Sequence, residues 1–422
     1  MKSAAWLVLG VALCLRVLGL HFGLDFADVD RTVLNNNVDE RGMVETVQRN
    51  FLHGNLDPGS FAFRGPGGFL LFGAVDAACV GGLALTRSVG WAEARAALEA
   101  NPSLVFLCHR LVNVLAGLLT TWLVFRIARR EWGLRCGLAA GLLFACAYVP
   151  VREAHYGTVD VLWVLPGLWS LEQMLAWQRA PTGRGHGLRV GLALGLAVAI
   201  KYHAIFLALP LFVTLWRVGA QGQGGRAPRA LRCAVEVGLV AALTLVALSP
   251  GVFVAPESFR SIVGFQLETN TAAAGSYDLL GALRFHLRYS LWFGLGEPVL
   301  LLAGFGALRA WGRGDAARWF LLCAALLSPL LYATSAHPVR YAMGLLPLFA
   351  FLAAQGFERL TARFSARVTG ALLALVLAPS LARALTLGWL LPRPDTRVEM
   401  LAELRTRALP PAEVLAVGTP HG

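Results

Sequence analysis

Long apolar runs recur along this chain, and they leave few folds open to it. They lie near residues 4–20, 104–125, 136–150, 160–177, 188–202, 203–218, 233–250, 290–308, 319–334, 341–357 and 368–390. A helix of about 20 apolar residues crosses the hydrocarbon of a bilayer. Backbone groups inside lipid must bond within helices or within a closed barrel. These runs are too long, and alternate too rarely, for barrel strands. Only 15% of the 422 residues are charged and 57% are hydrophobic, whereas a soluble domain carries about 25% charge. The chain reads as an all-α, polytopic membrane bundle. The first run, "MKSAAWLVLGVALCLRVLGL", has no small-x-small cleavage pattern and reads as a retained span.

Arginine orients the bundle. The basic stretches Arg126 to Arg135, Arg179 to Arg189, Arg217 to Arg232, Arg309 to Arg318 and Arg359 to Arg367, with Lys2, hold about half of the 37 Lys and Arg. The positive-inside rule places them all in the cytoplasm. The formal charge of +12 thus reports topology and membrane lipids as partners, not nucleic acid. Two segments are assigned by parity. The run 68–87 contains Asp76 and is expected to lie on the outer face. The run 188–219 is expected to break into two short spans at "KYH", Lys201 to His203. The expectation is about 11 transmembrane helices in one module, 1–390, of an integral, multi-pass protein of the cytoplasmic membrane. The N-terminus is inside. Large outer loops span about 21–103 and 251–289, and residues 391–422 form an extracytoplasmic tail. The seven cysteines show no C-x-x-C pair, sit mostly in apolar runs and read as small packing residues.

With this topology the unusual polar groups gather at the outer surface. The first loop supplies Asp39, Glu40 and Arg64. Later segments supply Arg152, Glu153, His155, Tyr156 and Asp160, then Lys201, Tyr202 and His203, then His337, Arg340 and Tyr341. Interfacial anchoring explains single Arg, Lys or Tyr side chains, but acids and histidines need no such anchor. Asn37 and Glu40 are spaced as a capping box. Met43, Val44, Val47 and Phe51 then form a stripe, predicting an amphipathic helix on the outer leaflet. Asp39 is not needed for the cap. Arg16, inside the first span, is expected near its outer end, facing the same site. The scattered histidines show no metal-ligand spacing. No metal site is assigned, although Asp39 and Asp160 could share a divalent ion.

Five pieces, in order, carry a family resemblance: "NNNVDERGMVETVQRNFLHGNLDPGSFAFRGPGG", "REAHYGTVDV", "GLALGLAVAIKYHAIFLALPL", "HPVRYAMGLLPLFAFLAAQG" and "DTRVEMLAELRTRALPPAEVLAV". Together they resemble the GT-C-type membrane glycosyltransferases that use polyprenyl-phosphate sugars (glycosyltransferase family 39). This group contains the protein O-mannosyltransferases and the lipid A aminoarabinose transferase. Its outer acidic pair often follows His-Pro; here Asn37-Val38 stands there.

The resemblance implies an inverting transfer. An acceptor hydroxyl attacks the anomeric carbon and prenyl phosphate leaves, which needs a base and positive charge. Asp39 would be the base, with Glu40 and Asp160 as further catalytic acids. Arg64, His155, Tyr156, Lys201, Tyr202, His337, Arg340 and Tyr341 would bind substrate, with Lys201 and Arg340 on the phosphate. The partners implied are a polyprenyl-phosphate sugar and an acceptor that is a protein, lipid A or another glycolipid or glycan. The 251–289 loop would help select the acceptor, with "ETNTAAAGSYD" as a mobile gate. A multi-pass transporter or lipid flippase is the rival reading. It would bury charge near the midplane.

Overall fold

The computed structural model describes residues 2–26, 38–62, 64–183, 185–221, 226–274, 279–310, 315–332 and 338–393, with 399, 400, 403 and 406. Among these residues the chain is helical, without strands. The α-helices are α1 (Lys2–Val17), α2 (Val38–Arg49), α3 (Gly67–Arg87), α4 (Trp91–Ala100), α5 (Ser103–Trp132), α6 (Leu134–Cys146) and α7 (Tyr148–Ala154). They continue with α8 (Val159–Leu162), α9 (Val164–Arg179), α10 (His186–Ile200), α11 (Ala208–Ala220), α12 (Arg226–Ala247), α13 (Gly251–Val254) and α14 (Pro256–Ala274). The last are α15 (Leu279–Phe285), α16 (Glu297–Ala310), α17 (Asp315–Leu327), α18 (Leu346–Thr361) and α19 (Ala366–Leu390). Short 3-10 segments at Tyr202–Leu207 and Val339–Gly344 interrupt the bundle beside the site.

Each apolar run read from the sequence falls on a helix. Among the described residues five helical stretches, including α3, are long and apolar enough to cross a membrane, and two bent pairs raise this to seven. The protein is an integral membrane protein. Helix length alone does not reproduce eleven crossings. Several segments, such as α10 and the apolar part of α1, are shorter than a full span.

Asp76 was the sequence's objection to a crossing at α3. It is fully buried and meets His109 of α5, Nε2 to Oδ1 2.6 Å, so one of its two oxygens is matched inside the protein. This contact lies in the second turn of α5. The opposite end of α5 carries Arg126 and Arg130, both paired with Glu172 of α9. Arg179 pairs there with Glu131 at 2.7 Å. The bundle thus has an arginine-rich end, and α3 packs against the other.

The core runs through α5, α6, α9, α16, α17 and α18, with Trp319, Phe144, Phe320 and Phe351 fully enclosed. The stripe of α2 differs from expectation. Met43, Val44 and Val47 are fully buried against protein instead of facing lipid. Neighbours α3 and α5 supply an apolar surface that a lone amphipathic helix lacks. Within "ETNTAAAGSYD", residues 268–274 continue α14, where an alanine-rich sequence favours helix. Residues 275–278 of the expected gate lie outside the described residues, as do Asn37, His337 and most of the tail.

Candidate active site

Asp39 opens the first turn of α2 with its carboxylate partly exposed. One oxygen accepts from Arg64; the other lies 2.8 Å from Nη2 of Arg340. Asp160, in the first turn of α8, is nearly buried. It pairs with Lys201, and Nε of Arg340 stands 3.7 Å away. Arg340 therefore links two acids that are 121 positions apart. Burial pushes the Asp160 carboxyl up, but Lys201 and then Arg340 outweigh it and hold the group at about 2. Arg340 is itself pushed down by burial and more strongly up by Asp160 and Asp39, so it stays charged. Three cations against two acids leave these five groups with one surplus positive charge.

Local backbone explains the meeting. The chain leaves α10 at Lys201, which is extended at φ −151° and ψ 119°. The next amide, Tyr202 N–H, donates to the carbonyl of Arg64 at 2.9 Å. The segment before α3 thus satisfies a donor freed by the break. Gly65 makes this fit possible. Its φ is +149°, and a Cβ there would collide with the carbonyl of Ile200. Arg340 sits in the 3-10 segment after Pro338, and Tyr341 brings its ring 5.2 Å from Lys201 Nζ and 4.4 Å from the His203 ring.

Several sequence expectations change. Glu40 is not a second open acid. It is buried and taken by Arg110, Nε to Oε1 2.8 Å and Nη2 to Oε2 3.0 Å, and by the N–H of Gly157 at 2.7 Å. Arg110 also donates to Leu20 O at 2.9 Å and Phe22 O at 2.8 Å. This clamp joins the exit of α1, α2, α5 and the 155–158 turn. His155, expected to bind substrate, is buried with its ring nitrogens against Val151 O at 2.8 Å and Leu18 O at 3.0 Å. Tyr156 stays partly open, edge-on to Phe22 at 5.7 Å. Arg16 does not face the site; it is fully buried and donates to Ala12 and Ala145 carbonyls, each at 3.1 Å.

Arg110, Asn113 and Gly157 were missed. Asn113 holds the 155–158 turn through Tyr156 O and, at 2.7 Å, Thr158 O. The signal was an arginine and an asparagine inside the 104–125 run, where polar groups are expensive unless paired.

The acids do not fit a resident divalent ion. Asp39 and Asp160 each face two cations, and no group of three His, Cys, Asp or Glu comes together among the described residues. An apolar groove of about 530 Å³ is lined by Ile200, the residue before Lys201, and by Leu162, two after Asp160, together with Leu71, Leu115, Trp169 and Arg126.

These features can be set beside known proteins. The chain matches the crystal structure of the Archaeoglobus fulgidus oligosaccharyltransferase with Zn and sulfate over 96% of its length, at 15% identity and TM-score 0.59. It matches ArnT from Cupriavidus metallidurans bound to undecaprenyl phosphate over 96%, at 16% identity and TM-score 0.59. It covers 55% of the first chain and 80% of the second. The archaeal AglB structure with an inhibitory peptide and dolichol-phosphate matches over 100%, at 13% identity and TM-score 0.59, and the chain spans 60% of it. The fold is that of the GT-C membrane glycosyltransferases. Within that class, residues 105–251 match the family described as dolichyl-phosphate-mannose-protein mannosyltransferase. No curated protein sequence matches the chain.

Proposed function

We propose that this protein is a membrane glycosyltransferase that moves a sugar from a polyprenyl-phosphate donor to an acceptor hydroxyl, with inversion, on the extracytoplasmic side. The observation that carries this reading is Arg340 bridging Asp39 and Asp160 beside Lys201, whose chain neighbour Ile200 lines an apolar groove. The surplus positive charge suits a phosphate, and the groove suits its prenyl chain. Lys201 and Arg340 would take the phosphate oxygens, Arg340 through its planar fork. In doing so Arg340 leaves Asp39 and frees a carboxylate oxygen. Asp39 then accepts the proton of the acceptor hydroxyl as that oxygen attacks the anomeric carbon. The sugar–phosphate bond breaks and prenyl phosphate departs, its charge met by the cations. Asp160 keeps Lys201 and Arg340 in place, and Tyr156, Tyr202 and Tyr341 line the sugar side.

The arginine-rich end of the bundle supports a cytoplasmic assignment for that end, which puts the site outside, with residues 1–390 as one module. The AglB and ArnT structures carry polyprenyl phosphates, which supports the donor class. The acceptor stays general: a hydroxyl on a protein, lipid or glycan. The test is purified protein in lipid with a panel of radiolabelled polyprenyl-phosphate sugars, beside Asp39→Asn. Release of one sugar by the native chain alone supports the reading. No turnover of any donor by a folded native chain overturns it.

A further inference from the structure

Two cysteines that the sequence treats as packing residues meet between α3 and α5. Cys79 of α3 and Cys108 of α5 have their Sγ atoms 3.1 Å apart. A disulfide bond is about 2 Å long, so closing it asks for a shift of about 1 Å. Both residues are half-buried, whereas Cys136, Cys146 and Cys323 are enclosed. The register around the pair is fixed independently. Asp76, one turn before Cys79, bonds His109, which follows Cys108, and Phe72 stacks on the His109 ring with centroids 4.1 Å apart. The pair lies in the second turn of α5, at the end away from Arg126 and Arg130.

We propose that Cys79 and Cys108 form a disulfide in the mature protein, pinning α3 to α5. The assignment to an oxidising compartment rests on the reading that the site end of the bundle is extracytoplasmic. The chemistry is exchange with a disulfide oxidant of the dithiol class. One thiolate attacks the oxidant and displaces a thiol. The second then attacks the mixed disulfide and displaces the other. One S–S bond breaks as one forms, and the two protons lost by Cys79 and Cys108 end on the released thiols.

The bond closes a loop of 29 positions that contains α4. It anchors the segment that delivers Arg64 onto the helix that carries Arg110 and Asn113. A cross-link there limits how far the unfolded first loop can wander.

The test uses the full chain in membranes prepared with N-ethylmaleimide and no reductant, then digested and read by mass spectrometry. The expected result is a Cys79–Cys108 cross-linked peptide, two hydrogens lighter than the sum, that resists alkylation until reduced. Reductant should then lower the Tm of the native chain but not of the Cys79→Ser/Cys108→Ser variant. Alkylation of both cysteines without reduction overturns the proposal, as does a Tm that reductant leaves unchanged. A parallel sample treated with oxidised glutathione shows which premise failed. Ready formation there implicates the compartment, and absence of the bond implicates the geometry.

Discussion

Asp39 and Arg340 meet at 2.8 Å although 301 positions separate them in the chain. The pairing makes the acid unavailable until another anion claims the arginine. Replacing Asp39 by Asn should therefore lower transfer by about 10²- to 10⁴-fold, the usual contribution of a positioned base. Donor binding should persist, since Arg340 loses a competitor. Single-turnover kinetics with equilibrium binding of prenyl phosphate checks both halves.

Arg340→Ala should raise the KM for donor by about tenfold to a hundredfold, the weight of one charge-assisted hydrogen bond of about 1.5–3 kcal/mol. Arg340→Lys should fall between, because it keeps the charge and loses the fork. Competition by inorganic phosphate and by prenyl phosphate measures the change. An unaltered KM in both variants would remove Arg340 from the donor site.

Glu40→Gln should act on stability. It leaves Arg110 buried without its anion, a loss of about 3–5 kcal/mol for a broken buried pair. The native Arg110 retains two backbone acceptors, Leu20 and Phe22, which puts the expectation at the lower end. Thermal inactivation in lipid should come several degrees earlier, with kcat per folded molecule little changed.

Acid should spare the Asp160 pair. Its carboxyl is held at about 2, below the ordinary 3.8. A depressed acid stabilises the fold fully above its unfolded pKa, and that contribution fades only as pH falls through the folded one. Thermal scans from about pH 8 down to about pH 4 should show no step from Asp160, with the loss confined to about pH 4 to 2. A pH series of Asp160→Asn against the native chain isolates it.

Gly65→Ala should damage the site through the backbone. The new Cβ meets Ile200's carbonyl, and φ of +149° disfavours any L side chain. Loss of more than about 1 kcal/mol of stability and a fall in kcat are expected as Arg64 shifts. Gly90→Ala, which meets nothing within 4 Å, is the control.

Most of the helix order was readable because long apolar runs are an unambiguous signal in lipid. The break at Lys201 was readable from charge parity, although its cause was not. No proline or glycine stands there; the break is held by a carbonyl from residue 64. The five charged groups at the site were on the page as residue types on one surface. Their pairing was not, because it depends on which of three cations each acid meets. Glu40 was misplaced for the same reason. A helix-start acid looks identical in sequence whether it faces a cleft or a buried arginine. Arg110 could have been found as a lone charge in an apolar run. The α2 stripe showed amphipathicity but not which apolar partner it would face.

Arg340 has one more consequence, for how the protein is made. Asp39, Arg64, Asp160 and Lys201 all leave the ribosome well before it. Those four are two acids and two cations, a neutral set. The spare charge comes with Arg340, from the segment after Pro338. Until that segment is made, the four groups sum to zero, and Arg340 brings the positive charge that gives the site its pull on anions.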